Sequence, residues 1–107
     1  FQFAHEADPD VELYYNDYNM AKPAKRETVC KLIRDLKAAG CRIDAVGMQS
    51  HCGFSHPDFA EYEKSIESFA TEGVKVMVTE LDITVLPETW GQSAEISRNF
   101  EYNEKLN

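Results

Sequence analysis

Three apolar runs dominate the chain, and each ends in a cluster of polar side chains: Val11-Glu12-Leu13-Tyr14-Tyr15-Asn16, Ala45-Val46-Gly47-Met48-Gln49-Ser50-His51 and Val76-Met77-Val78-Thr79-Glu80-Leu81-Asp82-Ile83. Helix-length segments that finish on glycine separate them. From Asn16 to His51 is 35 positions and from His51 to Glu80 is 29, and each interval suits one complete βα unit. The order strand, helix, strand, helix, strand predicts an α/β fold with parallel strands. All three polar clusters then fall at the carboxyl ends of the strands, whereas the helix-to-strand turns at Ala39-Gly40-Cys41 and Glu72-Gly73-Val74 carry no comparable set. The units share no useful identity, so the repetition is architectural.

Local signals sharpen the element boundaries. Residues 1–8 read as the tail of a helix stopped by Asp8-Pro9-Asp10, and the strand over 11–16 runs out into Asp17-Tyr18-Asn19. Pro23 suits a first helical turn, where its missing donor is not needed. The helix over 24–39 places Val29, Leu32, Ile33 and Leu36 on one face, and Gly40 ends it. A strand over 43–51 follows. The next helix is predicted to use Ser55 as a cap, Pro57 near its first turn and Asp58 against the positive helix end. It continues to Glu72 with Phe59, Tyr62, Ile66, Phe69 and Ala70 buried. In the last strand, over 74–83, Met77 and Leu81 are expected to face helices and Val76, Val78, Glu80 and Asp82 the other side, with both sides covered. Trp90 is expected on a loop, and a helix over 94–106 is expected to be anchored by Phe100 and Tyr102.

Composition narrows the classes of function. At 43% hydrophobic and 28% charged residues the chain matches a globular protein. Its formal charge of -8 opposes binding to a phosphate backbone, so no nucleic-acid partner is expected. No apolar run is long enough to span a bilayer, and no membrane partner is expected. No signal peptide begins at Phe1, and the lack of an initiator Met suggests a chain cut from something longer. A parallel unit of three strands also normally needs more strands around it. Cys30, Cys41 and Cys52 lack the paired spacing of a zinc knuckle; Cys30 and Cys41 read as packing residues, and Cys52 could line a pocket, although strand alternation points it away from His51.

The chemistry centres on two strand ends. In an extended chain, residues two apart share a face, so Glu80 projects with Asp82 and Gln49 with His51. His51 is placed to donate to Glu80 from one ring nitrogen and to bond Asp82 through the other, which fixes its tautomer and holds Glu80 as an oriented anion. Asn16 and Tyr18 set hydrogen-bonding groups beside flat rings, a combination that suits sugars. His5 and His56 read as helix-surface or loop residues, and the acidic residues between Asp58 and Glu63 as a solvated helix face. A metal site built from His51, Glu80 and Asp82 competes with the acid-base reading. Binding of carbohydrate without cleavage is a third reading. No Gly-rich phosphate loop, Cys-x-x-Cys pair or nucleotide fingerprint appears, and no cofactor is expected.

The motifs Tyr14-Tyr15-Asn16-Asp17-Tyr18-Asn19, Val46-Gly47-Met48-Gln49-Ser50-His51 and Val78-Thr79-Glu80-Leu81-Asp82-Ile83 together resemble glycoside hydrolase family 10, in family order and over nearly the whole chain. That resemblance implies a partial (β/α)8 TIM barrel in which 1–107 is a fragment of one catalytic domain, carrying strands five, six and seven and lacking strands one to four and eight. It implies a retaining endo-β-1,4-xylanase with no metal or other cofactor. Glu80 becomes the nucleophile, His51 and Asp82 its support, and Asn16, Tyr18 and Gln49 substrate-binding residues. The acid/base glutamate belongs to an Asn-Glu pair on strand four, and nothing before Val11 supplies it. The implied partners are xylan or xylo-oligosaccharides and the remaining segments of the barrel. The implied location is secreted, periplasmic or at the cell surface.

Overall fold

The computed structural model describes residues 1–84; the expected loop at Trp90 and the helix over 94–106, with Phe100 and Tyr102, lie outside the described residues. Helix α1 (Gln2–Ala7) precedes strand β1 (Tyr14–Asp17), helix α2 (Pro23–Ala38), strands β2 (Ala45–Met48) and β3 (His51–Gly53), helix α3 (Phe59–Thr71), and strands β4 (Lys75–Val78) and β5 (Asp82–Thr84). Strands β1, β2 and β4 form a parallel sheet in that spatial order, which bears out the repeated βα rhythm. Among the described residues no helix is long and apolar enough to cross a membrane.

Strand β1 starts later than its apolar run. The Leu13 amide donates to the Asp44 carboxylate at 2.7 Å, and Val11 is 43% exposed. Helix α2 begins with Pro23 in its first turn. At its far end Gly40 adopts φ 73°, so that the Cys41 and Gly40 amides reach back to the Leu36 and Lys37 carbonyls. A side chain at Gly40 would pay the steric penalty of left-handed backbone.

Helix α3 departs from its predicted stripe. Its cap is Asp58, whose carboxylate accepts from the Glu61 amide, and not Ser55. Ser65 and Phe69 are buried and Tyr62 is half-buried, whereas Phe59, Ile66 and Ala70 are exposed. Arg26 of α2 accounts for this orientation. Its guanidinium donates to Glu61 Oε2 at 2.8 Å, to the Glu61 carbonyl at 3.1 Å and to Ser65 Oγ at 3.2 Å, which holds the mixed Glu61–Ser65–Phe69 face against α2. The acidic stretch 58–63 is therefore only partly a solvated face: Asp58 caps the helix and Glu61 binds Arg26.

The core lies between the sheet and these two helices, where Val29, Ile33, Val46, Met48, Phe69 and Val74 pack together. Full burial of such side chains is worth about 1.5–3 kcal/mol each. Val46 and Met48 point toward the helices, with Tyr15 and Val76 beside them. Gly47 lies on the opposite face, level with Asn16 and Met77. The expected orientation of the third strand is thus reversed: Val76 packs on the helical core, while Met77 is 51% and Leu81 65% exposed. Only β2 is buried along its whole length, because β4 is the sheet's edge among the described residues.

Two of the three apolar runs predicted as single strands are interrupted. The segment expected over 43–51 stops at Met48, turns at Ser50 with φ 67°, and resumes as β3; the segment over 74–83 stops at Val78 and resumes as β5. Met48 is level with Val78, and His51 is level with Asp82. Two residues, 49 and 50, thus face three residues, 79 to 81. That extra residue is a bulge, a device that bends a strand and re-aims its side chains.

Candidate active site

The bulge carries the chemistry. The ladder continues through it by the Thr79 amide on the Met48 carbonyl at 3.0 Å, Glu80 on Gln49 at 3.1 Å and Asp82 on Ser50 at 3.3 Å. The Gln49 amide in turn donates to the Asp17 carbonyl at 3.1 Å, so the three strand ends stay joined past the regular sheet. Strict alternation fails here. The left-handed turn at Ser50 means that Gln49 and His51 are not successive same-face residues of one strand, and the bulge does the same for the route from Val78 to Asp82.

His51 nonetheless stands between the two carboxylates. Its Nδ1 lies 2.8 Å from Asp82 Oδ2 and its Nε2 lies 3.3 Å from Glu80 Oε2. Asp82 sits directly opposite it in the β3–β5 pair. The hydrogen bond with Asp82 raises the His51 pKa above its ordinary 6.5; burial opposes it, and the negative charges of Asp82 and Glu80 add to the rise. The three side chains are 47% (His51), 45% (Glu80) and 61% (Asp82) exposed, so water screens the pairings.

Asn16 reaches the same carboxylate from β1. Its Nδ2 donates to Glu80 Oε1 at 3.2 Å, while its Oδ1 accepts from the Thr79 hydroxyl at 2.8 Å. Glu80 is thus held on one oxygen by an imidazole and on the other by a carboxamide. Asn16 is engaged by protein groups at both ends of its amide, a placement that sequence reasoning, which treated it as a sugar contact, did not anticipate. Thr79 was also missed. Its signal is its position one residue before Glu80, but which side chain it meets depends on the bulge.

Tyr18 is 56% exposed and stands just beyond β1. Lys25 of α2 lies 5.0 Å from its ring centroid and 2.5 Å from Asp17 Oδ2. Asp17 also accepts from the Tyr15 hydroxyl at 2.6 Å and the Tyr18 amide at 2.8 Å. Burial works to raise the Asp17 pKa, but the bonds from Lys25, Tyr15 and the Tyr18 amide outweigh it and bring it below the ordinary value. The same contact pushes the Tyr15 hydroxyl up to about 12.

A cavity of about 650 Å³ flanks the carboxylates, lined by Tyr18, Gln49, His51, Pro57, Glu61 and Tyr62 among others. Tyr18, Gln49 and His51 all line it, whereas Glu80, Asp82 and Asn16 are not among its lining residues. Among the described residues no group of His, Cys, Asp and Glu converges as a metal-binding set. Each His51 nitrogen faces a different carboxylate, so the three side chains form a chain and do not point at a common centre.

This arrangement can orient one carboxylate beside a groove of sugar dimensions. The family model for glycosyl hydrolase family 10 matches residues 1–107. Endo-1,4-beta-xylanase A of Xylanibacter ruminicola is 61% identical over 109 residues, covering 100% of this chain and 29% of that protein. The crystal structure of xylanase XynB from Paenibacillus barcinonensis, complexed with a conduramine derivative, superposes with a TM-score of 0.82 at 36% identity, over 99% of this chain and 31% of that one. An intracellular xylanase of Thermoanaerobacterium saccharolyticum, solved with xylotetraose, matches with a TM-score of 0.73 at 38% identity, over 78% of this chain and 26% of that one. The chain therefore spans about three-tenths of the length of the relatives it matches, and its parallel strands with helices on one face fit part of a TIM barrel. By sequence and by fold alike, this chain belongs to glycosyl hydrolase family 10.

Proposed function

We propose that the protein carrying this chain is an endo-1,4-β-xylanase that cleaves internal bonds of xylan with retention of configuration, and that Glu80 is its nucleophile. The observation that supports this reading is the Glu80 carboxylate held from two sides, by His51 Nε2 and Asn16 Nδ2, at the carboxyl end of a parallel strand. Strands β1, β2 and β4 then represent strands five, six and seven of eight, and the rest of the barrel supplies the acid/base glutamate.

The mechanism is double displacement. Glu80 attacks the anomeric carbon as the acid protonates the departing glycosidic oxygen, and water then releases the sugar from the ester with the former acid serving as base. Retention requires the two carboxyls to lie about 5–5.5 Å apart. His51 and Asn16 aim the attacking oxygens, and Asp82 holds the imidazole. Tyr18 and Gln49 bind the chain of sugars along the cavity wall. A polymeric substrate also favours an enzyme that is secreted, periplasmic or displayed at the cell surface.

The test is Glu80→Gln in the complete barrel protein. Turnover of xylan should be abolished while binding of xylo-oligosaccharides persists, and proton NMR of the wild-type products should show the β-anomer first. Near-normal turnover by the variant would refute the assignment of Glu80, and an α-anomer as first product would refute retention.

A further inference from the structure

Thr79 and Asn16 form a bridge over Gly47 that meets Glu80 only at its Asn16 end. The Thr79 hydroxyl crosses over β2 to reach Asn16 Oδ1, linking the residue that follows β4 to the outer strand β1 on the far side of the sheet. It can do so because the residue beneath is Gly47. A Cβ placed there would lie 2.6 Å from Asn16 Oδ1 and 2.9 Å from the Thr79 methyl. Ordinary contact begins near 3.4 Å, so the space over the middle strand is already filled by the Asn16–Thr79 pair.

The direction of the bonds gives the bridge its use. A carboxamide has one acceptor end and one donor end, and it can turn about its last side-chain bond. The Thr79 hydroxyl supplies a donor for Oδ1, which leaves Nδ2 on the side of Glu80. The hydroxyl, the carbonyl and the N–H then point their dipoles the same way, toward the carboxylate, and such chains strengthen one another. Without the hydroxyl, Asn16 keeps one anchor in place of two, and its amide plane is free to leave the attacking group.

We propose that Thr79 is a positioning residue for the glycosidase reaction, acting on Glu80 only through the Asn16 carboxamide across the gap left by Gly47. This rests on the assignment of Glu80 as the nucleophile. A net hydrogen bond of ordinary strength corresponds to a loss of about three- to tenfold. The loss should fall on kcat, because the bridge acts on the aim of the nucleophile.

The experiment is a double-mutant cycle in the complete barrel protein, with an aryl β-xylobioside as substrate. Thr79→Val, and Thr79→Ala as a second variant should the first fail to fold, are each expected to lower kcat about three- to tenfold with KM within about twofold. Thr79→Ser should recover at least half of the activity. In an Asn16→Ala background the same substitutions should have no further effect. Full activity in Thr79→Val or Thr79→Ala, no recovery with Ser, or an undiminished loss in the Asn16→Ala background would each overturn the proposal. Glu80→Gln separates the two levels. If it is inactive while the cycle shows no coupling, the nucleophile stands and the bridge falls; if it is active, the reading of the site falls with it.

Discussion

Gly47→Ala is the smallest change that strikes the site without touching a polar group. The added methyl would meet Asn16 Oδ1 at 2.6 Å, Thr79 Cγ2 at 2.9 Å and Asn16 Cγ at 3.1 Å. Restoring ordinary contact to Oδ1, near 3.4 Å, requires a displacement of about 0.8 Å. The backbone of β2 cannot supply it, because that strand is buried along its length and bonded on both sides. Asn16 must therefore move, and its 3.2 Å bond to Glu80 lengthens past hydrogen-bonding range. A misplacement near 1 Å in a catalytic constellation costs up to about 10²-fold, so kcat/KM on xylo-oligosaccharides should fall between about tenfold and a hundredfold. Overpacking of this kind also costs about 1–3 kcal/mol of stability, and a melting curve would show it. The assay is steady-state hydrolysis by the folded variant below its transition. A kcat/KM within twofold of wild type would refute the claim that the space above Gly47 sets the position of Asn16.

Two further perturbations address the imidazole and the core. A raised His51 pKa means that the folded state holds the proton more tightly than the unfolded chain does. The pairing's contribution is thus complete below 6.5 and is lost as pH rises through the native value. Asp82→Asn removes the largest cause of the shift, so the His51 ring proton, followed by NMR in the complete protein, should titrate at lower pH than in wild type; an unchanged or higher midpoint would count against the Asp82–His51 pairing. Phe69 is wholly buried between α3 and the sheet. Phe69→Ala should destabilise the complete protein by about 3–5 kcal/mol in urea unfolding, and a loss below 1 kcal/mol would show that the site collapses around the gap.

The sequence carried the parallel direction of the strands because that follows from their alternation with helices, while their order was implied by the family resemblance. Val29 and Ile33 at helical spacing, Pro23 at a helix start and Gly40 at a helix end are local signals, and each took the place it predicted. The two departures have separate causes, both of them relations between elements distant in the chain. The stripe of α3 was judged by hydrophobicity, yet Arg26, 35 residues away in sequence from Glu61, decided which face turned inward. Counting alternate residues puts Met77 and Leu81 on the helical side, and counting fails where the register slips between the Met48–Val78 and His51–Asp82 pairs.

Residue chemistry alone, then, told that Glu80, Asp82, His51, Gln49 and Asn16 stand at neighbouring strand ends, since βα spacing and strand direction need nothing beyond the chain's own pattern. What those side chains touch was decided only in three dimensions. Two residues facing three between the Met48–Val78 and His51–Asp82 pairs is a relation between strands, invisible in either one. That one-residue surplus accompanies the placement of an imidazole between two carboxylates and of a threonine hydroxyl over a glycine. Such contacts depend on displacements of an ångström or less, and these are settled by packing across the sheet.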